Sequence, residues 1–169
     1  MPASPDQLFA CLDGLGIAHP TMSHPPLFTV EQSQAMRGKV AGGHSKNLFL
    51  KDQKGSLFLL VLLEDARIDL KALPKLLDCG RLSFGSSDLL RATLGVEPGS
   101  VTPFALINDT GQRVTPVLDA AMMAHEVLNF HPLVNTMTTS IGRDDLLKFV
   151  RATGHNPLIL RVSEERPGV

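Results

Sequence analysis

The stretch from Leu48 to Leu63 constrains the fold more than any other part of the chain. Leu48-Phe49-Leu50 is a short apolar run ending in Lys51-Asp52, and Ser56-Leu-Phe-Leu-Leu-Val-Leu-Leu63 follows after Gln53-Lys54-Gly55. Two apolar runs joined by a short polar turn with glycine read as a β-hairpin. Just upstream, Gly42-Gly43 gives a loop that can bring backbone N–H groups close to a ligand, because glycine accepts conformations that other residues avoid. Ser45, Lys46 and Asn47 then present a hydroxyl, an ammonium and an amide in succession. Lys46 and Asn47 are expected where the first strand of the hairpin begins.

Other segments alternate between helix and strand. Ser4-Pro5 fits an N-cap followed by proline in the first helical turn, and Leu8, Phe9, Leu12 and Leu15 make an apolar face that ends at Gly14 and Gly16. Ile17 to His24 reads as extended, and Pro25-Pro26 breaks it. Thr29 and Gln32 fit a capping box for a helix from Val30 to Gly38. Asp69 is placed to cap a helix through Leu77, with Pro74 kinking or shortening it. Cys79 to Phe84 reads as a short strand, and Ser86 and Gly95 bracket a helix. Phe104–Ile107 and Arg113–Leu118, around Asn108-Asp-Thr-Gly111, suggest a second hairpin. One or two turns of helix are expected over Asp119–Ala124, an extended run over Glu126–Phe130, and a strand over Thr136–Ile141. A helix from Arg143 to Gly154 and a strand over Leu158–Val162 close a domain spanning residues 1–163, with 164–169 as a disordered tail. Interleaved elements with hairpins predict an α+β fold, built on a mixed, mainly antiparallel sheet.

Composition narrows the function classes. At 169 residues, with 43% hydrophobic and 20% charged residues, the chain fits one globular domain with a sizeable core. No signal peptide or membrane span is read from it, and the cytoplasm is the expected compartment. Cys11 and Cys79 lack a disulfide or zinc spacing, and the six histidines show no ligand pattern, so neither metal nor cofactor is expected. A net charge of −1 argues against a broad nucleic-acid field. Any RNA contact must be local, from residues such as Arg37, Lys39, Lys46, Lys51 and Lys54. No Gly-x-Ser-x-Gly elbow is present and neither cysteine has a neighbouring histidine motif, so a covalent nucleophile is not indicated.

Three segments carry a family resemblance: Ser45-Lys-Asn-Leu-Phe-Leu-Lys-Asp52, the loop Gly99-Ser-Val-Thr-Pro103, and Asn129-Phe-His-Pro-Leu-Val-Asn-Thr-Met-Thr-Thr-Ser-Ile141. In order and spacing they resemble the YbaK/PrdX (ProXp-ala) family of free-standing aminoacyl-tRNA editing domains. The resemblance implies a curved, partly barrel-like sheet flanked by helices, and a trans-acting deacylase that removes alanine from mischarged tRNA(Pro). Cys-tRNA(Pro) deacylation by the same fold, or a non-catalytic module binding tRNA or a synthetase, are the alternatives. The implied partners are the acceptor end of tRNA(Pro) and a prolyl-tRNA synthetase, with no membrane and no DNA.

On this resemblance Lys46 is tied to holding the aminoacylated 3′ end, whereas by position alone a lysine at a strand end is ordinarily a solvated charge. Asn47 can orient an ester carbonyl or a ribose hydroxyl, or simply serve a turn. His131, fixed in extended backbone by Pro132, can aim an imidazole into a cleft, though structural histidines are commoner. Lys46, Asn47 and His131 are the catalytic candidates. Gly99, Ser100, Val101 and Pro103 belong to a loop able to offer N–H groups to an oxyanion. Ser45, Asn135 and Thr139 add polar groups near the same strands. Phe28, Thr29 and Val30, with Met36, are candidate walls of an amino-acid pocket, or plain core. A small sieve of this kind would exclude proline by size, complementing a synthetase pocket that gains only about 1–3 kcal/mol from the methylenes alanine lacks.

Overall fold

The computed structural model describes residues 1–26 and 42–164. The helix expected over Val30–Gly38, the pocket candidates Phe28, Thr29, Val30 and Met36, and the end of the tail lie outside these residues. The described strands are β1 (Thr21–Ser23), β2 (Gly43–Asp52), β3 (Leu57–Leu63), β4 (Leu82–Phe84), β5 (Val114–Asp119), β6 (Val127–Phe130), β7 (Met137–Gly142) and β8 (Leu158–Leu160). The helices are α1 (Pro5–Gly14), α2 (Leu73–Leu77), α3 (Ser87–Leu94) and α4 (Arg143–Ala152). One mixed sheet runs in the order β1-β7-β6-β2-β3-β5-β8, and β4 pairs with β2 outside that path. The pairings β1–β7, β2–β3, β2–β4 and β6–β7 are antiparallel, while β2–β6, β3–β5 and β5–β8 are parallel. The α+β architecture expected from the sequence is therefore present.

The hairpin is the centre of this sheet, and its sequence explains why both faces are covered. Leu57, Leu59 and Val61 of β3 enter one core with Phe49, while Phe58, Leu60 and Leu62 enter the other with Leu50. Successive side chains leave opposite faces, so a strand apolar at every position needs cover on both sides. The first core is closed by Leu8 and Leu12 of α1, Leu90 and Leu94 of α3, and Leu146, Phe149 and Val150 of α4. Leu73 of α2, with Leu82, Val117 and Val162, closes the second. Phe104 is wholly buried in the first core and meets Phe130 and Phe149 edge to face, with centroids 5.9 and 5.5 Å apart.

Local signals set the helix ends. Ser4 and Gln7 form the reciprocal capping box of α1, with Gln7 N donating to Ser4 Oγ at 3.2 Å and Ser4 N to Gln7 Oε1 at 2.8 Å. Ser86 Oγ accepts from Leu89 N at 3.1 Å, and Gly95 ends α3 in the left-handed conformation at φ +66°. No described helix is long and apolar enough to cross a membrane.

Three expectations are corrected. The strand carrying Lys46 and Asn47 does not begin beside them but at Gly43, because Gly43 and His44 pair in parallel with Leu128 and Asn129. α2 starts at Leu73, with Pro74 inside its first turn, where a missing N–H costs nothing; Asp69 instead makes a turn by accepting from Lys71 N. The second hairpin is absent, since residues 103–108 form a 3₁₀ helix and β5 pairs in parallel with β3. Thr102 Oγ1 caps that helix by accepting from Phe104 N at 3.2 Å, and Asn108 Nδ2 ties it to Leu94 O at 2.8 Å.

Asp109 fixes the turn into β5. Its Oδ1 accepts from Arg113 N at 3.0 Å, and its Oδ2 from Val114 N at 2.8 Å and from His155 Nε2 at 2.8 Å. The side chains of Asp109 and His155 are both 2% exposed. Removing one member strands buried polar groups, so Asp109→Ala is expected to cost at least about 3 kcal/mol, read as a lower urea midpoint with unchanged slope.

Candidate functional site

Strand alternation and register decide which candidate residues meet. Phe49 packs into the core covered by α1, α3 and α4, while Leu48 and Leu50 pack on the opposite face. The β2–β3 pairing from Ser45 to Lys51 is unbroken, so Ser45 and Asn47 share the face of Phe49, and Lys46 shares that of Leu48. His44 lies beside Asn129 across the parallel β2–β6 seam, and Asn129 lies opposite Ser140 on β7. Lys46, Asn129, His131 and Ser140 therefore belong to one face of the sheet. Over β3 and β5 that face is packed with Phe58, Leu60, Leu62 and Val117. Over β6, β7 and the end of β1 it carries Asn129, Ser140, Thr138 and His24 instead. Lys46 stands where the apolar half meets the polar half, half-buried, its Nζ donating to Ala66 O at 2.5 Å. An ammonium has three donors, and among the described residues one of them is used, on Ala66 O.

The state of His131 follows from its neighbour. Arg143 N donates to Glu126 O, which marks the hydrogen-bonded positions of the β6–β7 ladder; stepping by two places Pro132 opposite Met137 at such a position. Proline has no N–H to give. His131 Nδ1 takes over, lying 3.0 Å from the Met137 carbonyl. A carbonyl only accepts, so the partner assigns the hydrogen to Nδ1 and leaves the lone pair on Nε2, which has no hydrogen-bond partner among the described residues. Burial pushes the His131 imidazolium below its ordinary range; the Met137 bond opposes this, and charge on His24 adds to it.

Asn129 locks the strands around this point. It is 3% exposed, accepts from Ser140 Oγ at 2.6 Å and donates to Gly43 O at 3.3 Å. A Cβ on Gly42, at φ +103°, would lie 2.8 Å from Val127 O and 3.0 Å from Asn129 Nδ2, so only glycine allows this approach.

The remaining candidates fall elsewhere. On the other face Asn47 Nδ2 donates to Ser45 Oγ at 3.4 Å, and Ser45 Oγ donates to Asn129 O at 3.0 Å, while Asn47 Oδ1 is buried with no hydrogen-bond partner among the described residues. Thr139 is wholly buried, its hydroxyl 2.8 Å from that of Thr21, and so joins β7 to β1. Gly99, Ser100 and Asn135 line a cleft of about 570 Å³ with Val96 and Leu133; Lys46, Asn47 and His131 do not line it. Val101 packs against the first core and Pro103 is buried at the start of the 3₁₀ helix. Lys46 and His131 thus come to one face, Asn47 and Ser45 to its reverse, and the Gly99 loop to a separate cleft. Sequence reading passed over His24 and Thr138, because the pairing of β1 with β7 that unites them joins segments more than a hundred residues apart.

The β6–β7 ladder gives a residue with no polar side chain a polar effect. Pro132→Ala supplies an N–H that competes for Met137 O, so His131 should lose its single tautomer, visible as altered ¹⁵N imidazole shifts. A spectrum identical to wild type would show that the proline does not set the ring.

Comparison with known proteins agrees with this fold. Residues 24–149 match the family model for the aminoacyl-tRNA editing domain. Prolyl-tRNA synthetase associated domain-containing protein 1 of Mus musculus is 40% identical over 154 residues, covering 88% of this chain and 90% of that protein. The prolyl-tRNA editing protein ProX of Acetoanaerobium sticklandii is 34% identical over 149 residues, covering 88% and 91%. The solved structure of hypothetical protein APE2540 superposes with a TM-score of 0.74 at 18% identity, over 93% of this chain and 99% of that one. With the match running through β2, β6 and β7 and the fold shared, the chain belongs to the aminoacyl-tRNA editing domain family, of the YbaK/PrdX type.

Proposed function

We propose that this protein is a trans-acting deacylase that hydrolyses the ester of alanine wrongly attached to tRNA(Pro). The observation that carries the reading is the shared face of Lys46, whose ammonium uses one of its three donors among the described residues, and His131, whose Nε2 lone pair is left open by its bond to Met137. Family membership supplies the substrate class, and the names of the relatives point to proline. Localisation in the cytoplasm, engagement of the acceptor end, and association with prolyl-tRNA synthetase belong to the same reading.

In this mechanism a water molecule attacks the ester carbonyl while His131 Nε2 accepts its proton. The Lys46 ammonium holds the adjoining phosphate or the negative charge that develops on the carbonyl oxygen. Collapse of the intermediate breaks the bond between the carbonyl carbon and the ribose oxygen, which takes back a proton, releasing alanine and intact tRNA. Asn47 contributes from behind: its bonds through Ser45 to the Asn129 carbonyl stiffen the strand that presents Lys46. Phe28, Thr29 and Val30 are proposed walls of the amino-acid sieve, and the cleft of Gly99, Ser100 and Asn135 a flanking contact for substrate.

Incubation with Ala-, Cys-, Ser- and Pro-tRNA(Pro) tests the assignment. Preferential loss of alanine is expected; loss from Cys-tRNA alone would move the substrate to cysteine, and no turnover would leave a binding module. Lys46→Ala should lower single-turnover hydrolysis by about 10²-fold without unfolding the protein, and Lys46→Arg should recover it only in part. The pH dependence follows from His131. Its folded form takes up a proton less readily than an exposed histidine, so the base is kept through the ordinary titration range near 6.5 and lost only below it. Deacylation should therefore hold from neutrality down past about pH 6.5 and fall on further acidification. An acid limb centred above that value would assign the proton to another group.

A further inference from the structure

The polar face ends in two imidazoles, and only one has been given work. His24 follows β1, and its backbone N–H donates to Thr136 O at 2.9 Å, extending the β1–β7 ladder by one rung beyond the Ser23–Met137 pair. Its ring lies 6.2 Å from that of His131, tilted by 53°. His24 Nδ1 donates to Pro25 O at 2.8 Å, and its Nε2 is 2.8 Å from Thr138 Oγ1. Thr138 is 7% exposed, and by register it faces the position of His131 across the ladder.

We propose that His24 is a positioning residue for His131, holding the neighbouring imidazole uncharged, with its Nε2 open, through its ring and its bond to Thr138. The two rings differ in what a proton costs them. A threonine hydroxyl both donates and accepts, so His24 keeps its bond to Thr138 whether Nε2 is bare or protonated. A positive charge on buried His131 is opposed by desolvation, and any charge on the His24 ring, 6.2 Å away, opposes it further by Coulomb repulsion. Among the described residues, register puts His44, Lys46 and Asp52 of β2, Glu64 just after β3 and Asp119 of β5 on this face of the sheet, while β7, whose residues 137–142 are Met-Thr-Thr-Ser-Ile-Gly, supplies no titratable group. The cation-forming group in ring contact with His131 is His24, at 6.2 Å between centroids.

This role rests on the reading that His131 receives a proton during ester hydrolysis, and the test separates the two. His24→Phe keeps a ring without the charge, while His24→Gln keeps a polar group for Thr138 without the ring. For wild type and both variants, the His131 titration is followed by ¹⁵N–¹H spectra, alongside the pH profile of Ala-tRNA(Pro) hydrolysis and thermal melts. The expected result is a His131 titration raised by about half a unit or more in the variants, with the acid limb of activity raised equally and melting near wild type. An active wild-type protein whose His131 titration is the same in all three overturns the positioning role alone. A coupled titration in a wild-type protein that hydrolyses no mischarged tRNA overturns the deacylase reading, and the positioning role with it. If one variant fails to fold, the other gives the same comparison.

Discussion

The parallel seam between β2 and β6 is the contact on which this architecture depends. Only Gly43 with Leu128 and His44 with Asn129 are in register there, yet this short pairing joins the β1-β7-β6 half of the sheet to the half built around the hairpin. The buried Asn129 amide reinforces it from both sides, reaching Gly43 on one strand and Ser140 on the other. Gly42 makes the approach sterically possible. A seam this short must be held by side chains, because two rungs of backbone cannot fix the angle between the halves.

Much of this was legible along the chain. Apolar runs around Gln53-Lys54-Gly55 announced the hairpin, and Ser4, Ser86 and Gly95 marked helix ends through chemistry confined to a few residues. Signals failed where the deciding partner was distant. The run Phe104–Ile107 looks like a strand by composition, but Thr102 and Pro103 wind it into a 3₁₀ helix whose side chains the first core absorbs. The start of β2 was misplaced for the same reason: Gly43 and His44 become strand only by meeting β6, some 85 residues later.

The site divides along the same line. Lys46, Asn47 and His131 stand out as residues in sequence, but the face each occupies depends on register, which single-sequence reading does not supply. Adjacent positions on one strand point in opposite directions, so Lys46 and Asn47 lie on opposite sides of the sheet. His131 shows the converse case. Its tautomer is written in the following residue, because proline withdraws a backbone donor and the imidazole fills the gap.

The bond between Lys46 and Ala66 ties the ammonium of that lysine to the connection after β3, whose Glu64 N–H also donates to His44 O. Surface connections usually absorb insertions and deletions at little cost. This one is a tether of defined length. Among relatives or engineered versions, a change in the number of residues between Leu63 and Ala66 would retune the reach of a side chain encoded some twenty positions earlier, making loop length itself a heritable dial on the site.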